Sequence, residues 1–285
     1  MNKLITGSVL SAAMIGAVLP SIGSAQSFPN TRTRSFNNQT PIEITDSCPV
    51  PTDAECAALP DYHYNGGGEF IEYEATPASL YPSEIVVPEA AFPVGAKITD
   101  INVRLKNFSH KLVDDVDIVL VGPEGQHVWL VSNVSSGTVN ATNLNWKFDD
   151  SAKVPLPNSN SNTGRVSNNT SNAFYNLIYP EWQNIWTSTN ERTFRPSDFD
   201  GTDDYDEMPD LDLGSSPATT VTYPAGPYNI SNPSQNPGPT VNTGPSLSVF
   251  NGTSPVGTWK LYVADDWYWY DGSLGGWGVE ITAAP

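Results

Sequence analysis

The clearest hydrophobic rhythm lies near the C-terminal end. Trp259, Leu261 and Val263 share one side of an alternating run with Lys260 and Tyr262 opposite, and Trp277, Val279 and Ile281 repeat it against Gly278 and Glu280. Period-two spacing belongs to strands with one face buried and the other in water. The same texture fills the chain from Ser83 onward: Glu84-Ile-Val-Val87, Lys97-Ile-Thr-Asp-Ile-Asn-Val-Arg-Leu-Lys106, Asp115-Val-Asp-Ile-Val-Leu-Val121, His127-Val-Trp-Leu-Val131 and Asn143-Leu-Asn-Trp-Lys-Phe148 each read as a strand. In the second of these, Ile101, Val103 and Leu105 are expected inside and Asn102, Arg104 and Lys106 outside. Pro123-Glu-Gly125 is a turn, since proline presets φ and glycine lets it become positive. With about eight strands and no long helix, an all-β sandwich of jelly-roll type is predicted.

Other stretches lack this rhythm. Residues 26–82 are polar and mixed and read as an N-terminal arm, with a short helix predicted from Thr52 to Leu59. Residues 151–246, rich in Asn, Ser, Thr, Pro and Gly, read as a loop-rich insertion running largely over the surface of the sandwich at 83–285. Inside it, Phe174-Tyr-Asn-Leu-Ile-Tyr-Pro-Glu-Trp182-Gln-Asn-Ile-Trp186 is aromatic enough to dock on something, and Asp198 to Glu207 is strongly acidic.

The ends and the charge narrow the setting. Residues 1–25 read as a secretory signal: Lys3 gives the charge, Val9 to Leu19 the apolar core, and Gly23-Ser-Ala25 the small residues before cleavage. A secreted, extracellular or periplasmic protein is expected, with no membrane insertion, because no later apolar run approaches the roughly 20 residues that span a bilayer. Cys48 and Cys56 should then form one local disulfide. The chain has 285 residues, with 13 basic and 31 acidic side chains for a net charge of −18. Such a surface makes nucleic acid and anionic membranes poor partners and cations natural ones.

Two segments resemble a known family. His110-Lys-Leu-Val-Asp-Asp115-Val-Asp-Ile-Val-Leu-Val-Gly-Pro123-Glu-Gly resembles the pattern H-t-y-x-G-D-L-x-I-x-L-x-S-P-x-G of the P domain, or P/Homo B domain, of proprotein convertases and related bacterial secreted proteins. Phe250-Asn-Gly, Gly257-Thr-Trp259-Lys-Leu-Tyr-Val-Ala-Asp265 and Asp271-Gly-Ser-Leu-Gly-Gly-Trp277 are similar to its closing motif. Trp146-Lys-Phe-Asp-Asp150 and Phe194-Arg-Pro-Ser-Asp-Phe resemble segments between them. The resemblance implies a jelly-roll, galactose-binding-like β-sandwich that stabilises a subtilisin-like protease or serves as a module of secreted proteins, in some members with calcium. The chain departs from the pattern at Asp114, where the family has glycine, and at Trp267-Tyr-Trp-Tyr270, where it has small residues.

The candidate chemistry is sparse. Asn251-Gly-Thr-Ser254 superficially matches a subtilisin nucleophile, but it leads into a strand where the nucleophile would open a helix, and no histidine sits in a matching context. A non-catalytic chain is expected. Asp265, Asp266 and Asp271, joined by Asp115, could converge as oxygen ligands for calcium; equally, Asp115 could cap a turn and Asp265 close its own loop through backbone amides. His110 is expected to hydrogen-bond neighbouring backbone or carboxylate groups. Trp267, Tyr268, Trp269 and Tyr270 could stack on a surface glycan, enter a partner's pocket or pack onto Trp182 and Trp186. A protease or a surface glycan is the partner these readings suggest.

Overall fold

The computed structural model of the chain describes residues 31–45, 75–135, 138–157, 184–198, 208–209, 219–222, 241–266 and 270–285. It is all-β, with two mixed sheets packed together as a sandwich and no α-helix among the described residues. The first sheet has seven strands: β1 (Arg32–Asn38), β15 (Gly276–Ala284), β5 (Lys97–His110), β14 (Gly272–Leu274) and β2 (Ile42–Ile44) in that order, with β8 (Ala141–Phe148) beside β5 and β9 (Arg192–Phe194) beside β8. The second has six: β10 (Ser197–Asp198), β7 (His127–Ser132), β6 (Val116–Val121), β13 (Gly257–Asp265) and β3 (Thr76–Pro77), with β4 (Ser83–Val87) also on β13. A separate antiparallel pair joins β11 (Thr219–Thr222) to β12 (Val241–Gly244).

The predicted inward rows line the core. Trp259, Leu261, Val263, Trp277, Val279 and Ile281 are at most 1% exposed. Their partners in register carry the same alternation, so each cross-strand row is apolar on the inner face. Strand β5 runs on to His110, past the predicted end at Lys106. Asn107 adopts a left-handed φ of 54°, and the pairing with β8 shifts register between Leu105 and Phe108. A bulge of this kind bends a strand without ending it.

Some polar rows expected in water are covered. Tyr262 is only 8% exposed because Ala75, Val119, Trp129, Met208 and Ala264 form a second small cluster with it on the outer face of the six-stranded sheet. The Tyr81 ring meets Tyr262 edge-on at 4.9 Å, and its hydroxyl donates to the Pro209 carbonyl at 2.6 Å. Asn102 is likewise buried, its amide donating to Asp100 and Glu280.

The N-terminal segment is more than an arm where it is described. β1 pairs along its whole length with β15, β2 pairs with β14, and Ile42 and Ile44 are fully buried. These strands are short and carry polar side chains, so their period-two pattern does not rise above the surrounding sequence. The insertion also contributes to the fold: β9 and β10 run parallel to β8 and β7, and Leu156, Ile185, Trp186 and Phe194 are buried. Trp186 meets the core ring Trp146 edge-on at 6.2 Å. The predicted signal sequence over 1–25, Cys48 and Cys56, the predicted helix over 52–59, the acidic stretch beyond Asp198, Trp182, and Trp267, Tyr268 and Trp269 lie outside the described residues.

Candidate functional site

Strand order brings the two distant motifs side by side. β6 and β13 are antiparallel neighbours, with Val116 opposite Asp265 and Val121 opposite Lys260, so the start of each motif strand lies near the end of the other. At one end, β5 finishes at His110, a 3₁₀ turn covers Val113–Asp115, and β14 opens at Gly272.

His110 sits at the centre of this end. Its Nε2 lies 3.0 Å from Asp265 Oδ2, and both side chains are 1% exposed. Its Nδ1 meets the Leu112 carbonyl, with the Leu112 N–H at 3.2 Å from the same nitrogen. The carbonyl contact is the closer, which favours a proton on Nδ1 donating to Leu112. A ring protonated on both nitrogens, an imidazolium, donates to Leu112 and Asp265 together, whereas a ring protonated on Nε2 alone donates to Asp265 and accepts the Leu112 N–H. Burial pushes the imidazole pKa down most strongly, but the Asp265 carboxylate and the Leu112 and Tyr270 backbone together hold it above the usual histidine value. The expectation that His110 bonds backbone and carboxylate groups is met, with a carboxylate from the other motif.

The rest of this end closes around the pair. A side chain at Gly272 would fall on His110 Cδ2 and the Ser109 carbonyl oxygen, so the ring itself demands glycine there. The Asp266 N–H donates to the Asp115 carbonyl at 2.9 Å, and Lys111 Nζ stands 4.7 Å from the centre of the Tyr270 ring. These contacts hold the two sides of the β13–β14 connection.

The opposite end is joined by the predicted turn. Gly125 has φ 90° and its N–H donates to the Gly122 carbonyl at 3.0 Å. Gly257, with φ 129°, lies against Pro123, where an added Cβ would stand 2.7 Å from the proline Cβ. Ser254, the superficial nucleophile, gives its N–H to Glu124 Oε1 at 2.9 Å and accepts the Val256 N–H on its hydroxyl at 3.2 Å. Both tryptophans of the closing motif spend their indole N–H inside the fold: Trp259 donates to the Pro255 carbonyl at 3.1 Å and Trp277 to Ser83 Oγ at 2.9 Å. Asp150 accepts from Ser246 Oγ, Leu247 N–H and Ser248 N–H at 2.6 to 2.9 Å, fixing the turn that leads into the motif.

The calcium set does not assemble as a carboxylate cluster. Asp265 is turned inward to His110, Asp115 and Asp266 meet through backbone atoms, and Asp271 is exposed. Among the described residues no group of three His, Cys, Asp or Glu side chains could hold a metal ion. Thermal unfolding in EDTA and in millimolar calcium should give the same midpoint. A calcium-dependent rise of several degrees would reveal a site of useful affinity. Of the aromatic run, only Tyr270 is described, half-buried beneath Lys111.

Ser83 and Lys111 were missed by sequence reasoning. Each acts on a residue far along the chain; Ser83 takes an inward place in the alternation of β4, but as a polar residue it is not marked by a hydrophobic rhythm. No protein-family model matches this chain, and no curated protein does either.

Proposed function

We propose that this chain is an exported, non-catalytic β-sandwich module of jelly-roll, P-domain-like form that acts by binding or stabilising a partner protein. The observation that carries the reading is where the motifs' polar groups go. His110, Asp265, Asp150, Ser83 and the Trp277 indole all serve to join one segment of the sandwich to another, and the Trp259 indole closes the turn that enters its own strand. A buried, mutually satisfied pair such as His110 and Asp265 is built to hold position, whereas a catalytic pair must present an atom to substrate.

The resemblance to the P domain makes a subtilisin-like serine protease the natural partner. In that role the module contributes surface and rigidity while the protease supplies the chemistry. The purified chain should leave casein and fluorogenic peptides intact over many hours, with or without a serine-protease inhibitor. A subtilisin-like protease from the same culture fluid should lose thermal stability when this chain is removed. Inhibitor-sensitive hydrolysis by the purified chain would overturn the reading.

A further inference from the structure

Strand β1 ends the seven-stranded sheet. It pairs with β15 on one side, and among the described residues no strand pairs with its other side. Alternate residues of such a strand turn their N–H and C=O groups away from the sheet. Five of its residues, Arg32, Thr33, Arg34, Ser35 and Asn37, are exposed. Arg32 stands opposite Ala283, Arg34 opposite Ile281 and Phe36 opposite Val279, all buried partners, so the two arginines share the core-side face at the open margin. Phe36 anchors that face, its ring 6.3 Å from Phe92. Neither arginine has an ion pair or side-chain hydrogen bond among the described residues, whereas Arg104 nearby is held by Glu191 and Glu280.

Charges on an edge strand commonly guard it against pairing. Here their sign works against that purpose. In a chain of net charge −18, acidic guards would repel other copies, while two adjacent arginines attract carboxylates. The two are spaced as alternate residues of a strand. Carboxylates at alternate positions of an added antiparallel strand would therefore stand directly opposite them.

We propose that β1 is a docking edge for an extended acidic segment of a partner protein. The segment adds as an antiparallel strand, with main-chain hydrogen bonds giving affinity and Arg32 and Arg34 selecting carboxylates. This rests on the reading of the chain as a binding module and names the chemistry of what it binds.

The test is fluorescence anisotropy of the full chain with a labelled peptide that alternates glutamate with valine. Controls are the same peptide with lysine for glutamate, and one with alternate backbone amides N-methylated. The glutamate peptide should bind. Its affinity should fall about tenfold or more in R32E/R34E, and fall again between about 0.05 and 0.5 M salt. Both control peptides should fail to bind. The arginines are exposed and make no ion pair or side-chain hydrogen bond with another described residue, so the variant should melt with the parent. No binding by the parent chain, equal binding by R32E/R34E, equal binding of the lysine or N-methylated peptide, or sedimentation showing β1-dependent dimers would each overturn the docking edge. Cleavage of the peptide, seen by mass spectrometry, would instead sink the module reading.

Discussion

Gly272→Ala should lower stability by about 3 kcal/mol, at the upper end of what overpacking costs. For a chain of this size that corresponds to a fall in Tm of roughly 6 to 12 °C. The added methyl lands between His110 Cδ2 and the Ser109 carbonyl oxygen. Neither can yield easily: the ring is held by Asp265 and Leu112, and Ser109 pairs with Ser273 across β5 and β14. Gly125→Ala is the informative control, because Gly125 has φ 90° with nothing within 4 Å of an added Cβ. It should cost only the left-handed backbone penalty of about 1 to 2 kcal/mol. Combining Gly272→Ala with His110→Ala should cost less than the sum of the two, since the second change removes the atom the first strikes. Chemical denaturation of the parent and the four variants measures all of this.

His110→Ala should cost about 3 to 5 kcal/mol at mildly acidic pH, because it strands a buried carboxylate. The loss should depend on pH in a definite direction. The folded imidazole titrates above its unfolded value of about 6.5. Its contribution to stability is therefore complete below about pH 6.5 and disappears as pH rises through the folded value. The stability gap between the parent protein and His110→Ala should be widest on the acid side of that window and narrow across it. A gap that widened with pH would mean that burial, and not Asp265, governs the ring.

Much of the sandwich was legible in the sequence because its central strands carry long alternating runs. The inward rows of Trp259 to Val263 and Trp277 to Ile281 needed only their period. What escaped was the edge and the roof. β1, β2 and β14 are three to seven residues long, and polar residues fill the exposed margin of β1. Met208 and Tyr81 cover the outer face from separate loops, so no local rhythm announces that Tyr262 is buried. At the candidate site, Asp265 was legible as important, but its partner was not. Its acidic neighbours suggested a cation, while its actual partner lies 155 positions away at the end of another strand. The glycines of the closing motif show the same limit: Gly257 and Gly272 answer to Pro123 and His110, contacts that only the folded chain reveals.

The central claim is that the polar residues of the two motifs hold the sandwich together. A double-mutant cycle on His110→Ala and Asp265→Ala, followed by denaturant unfolding below pH 6.5, addresses it directly. The account predicts a coupling free energy of about 2 kcal/mol or more, with the double variant little worse than either single one. Additive losses, with coupling below about 0.3 kcal/mol, would show that the pair does not join the motifs and would contradict the account.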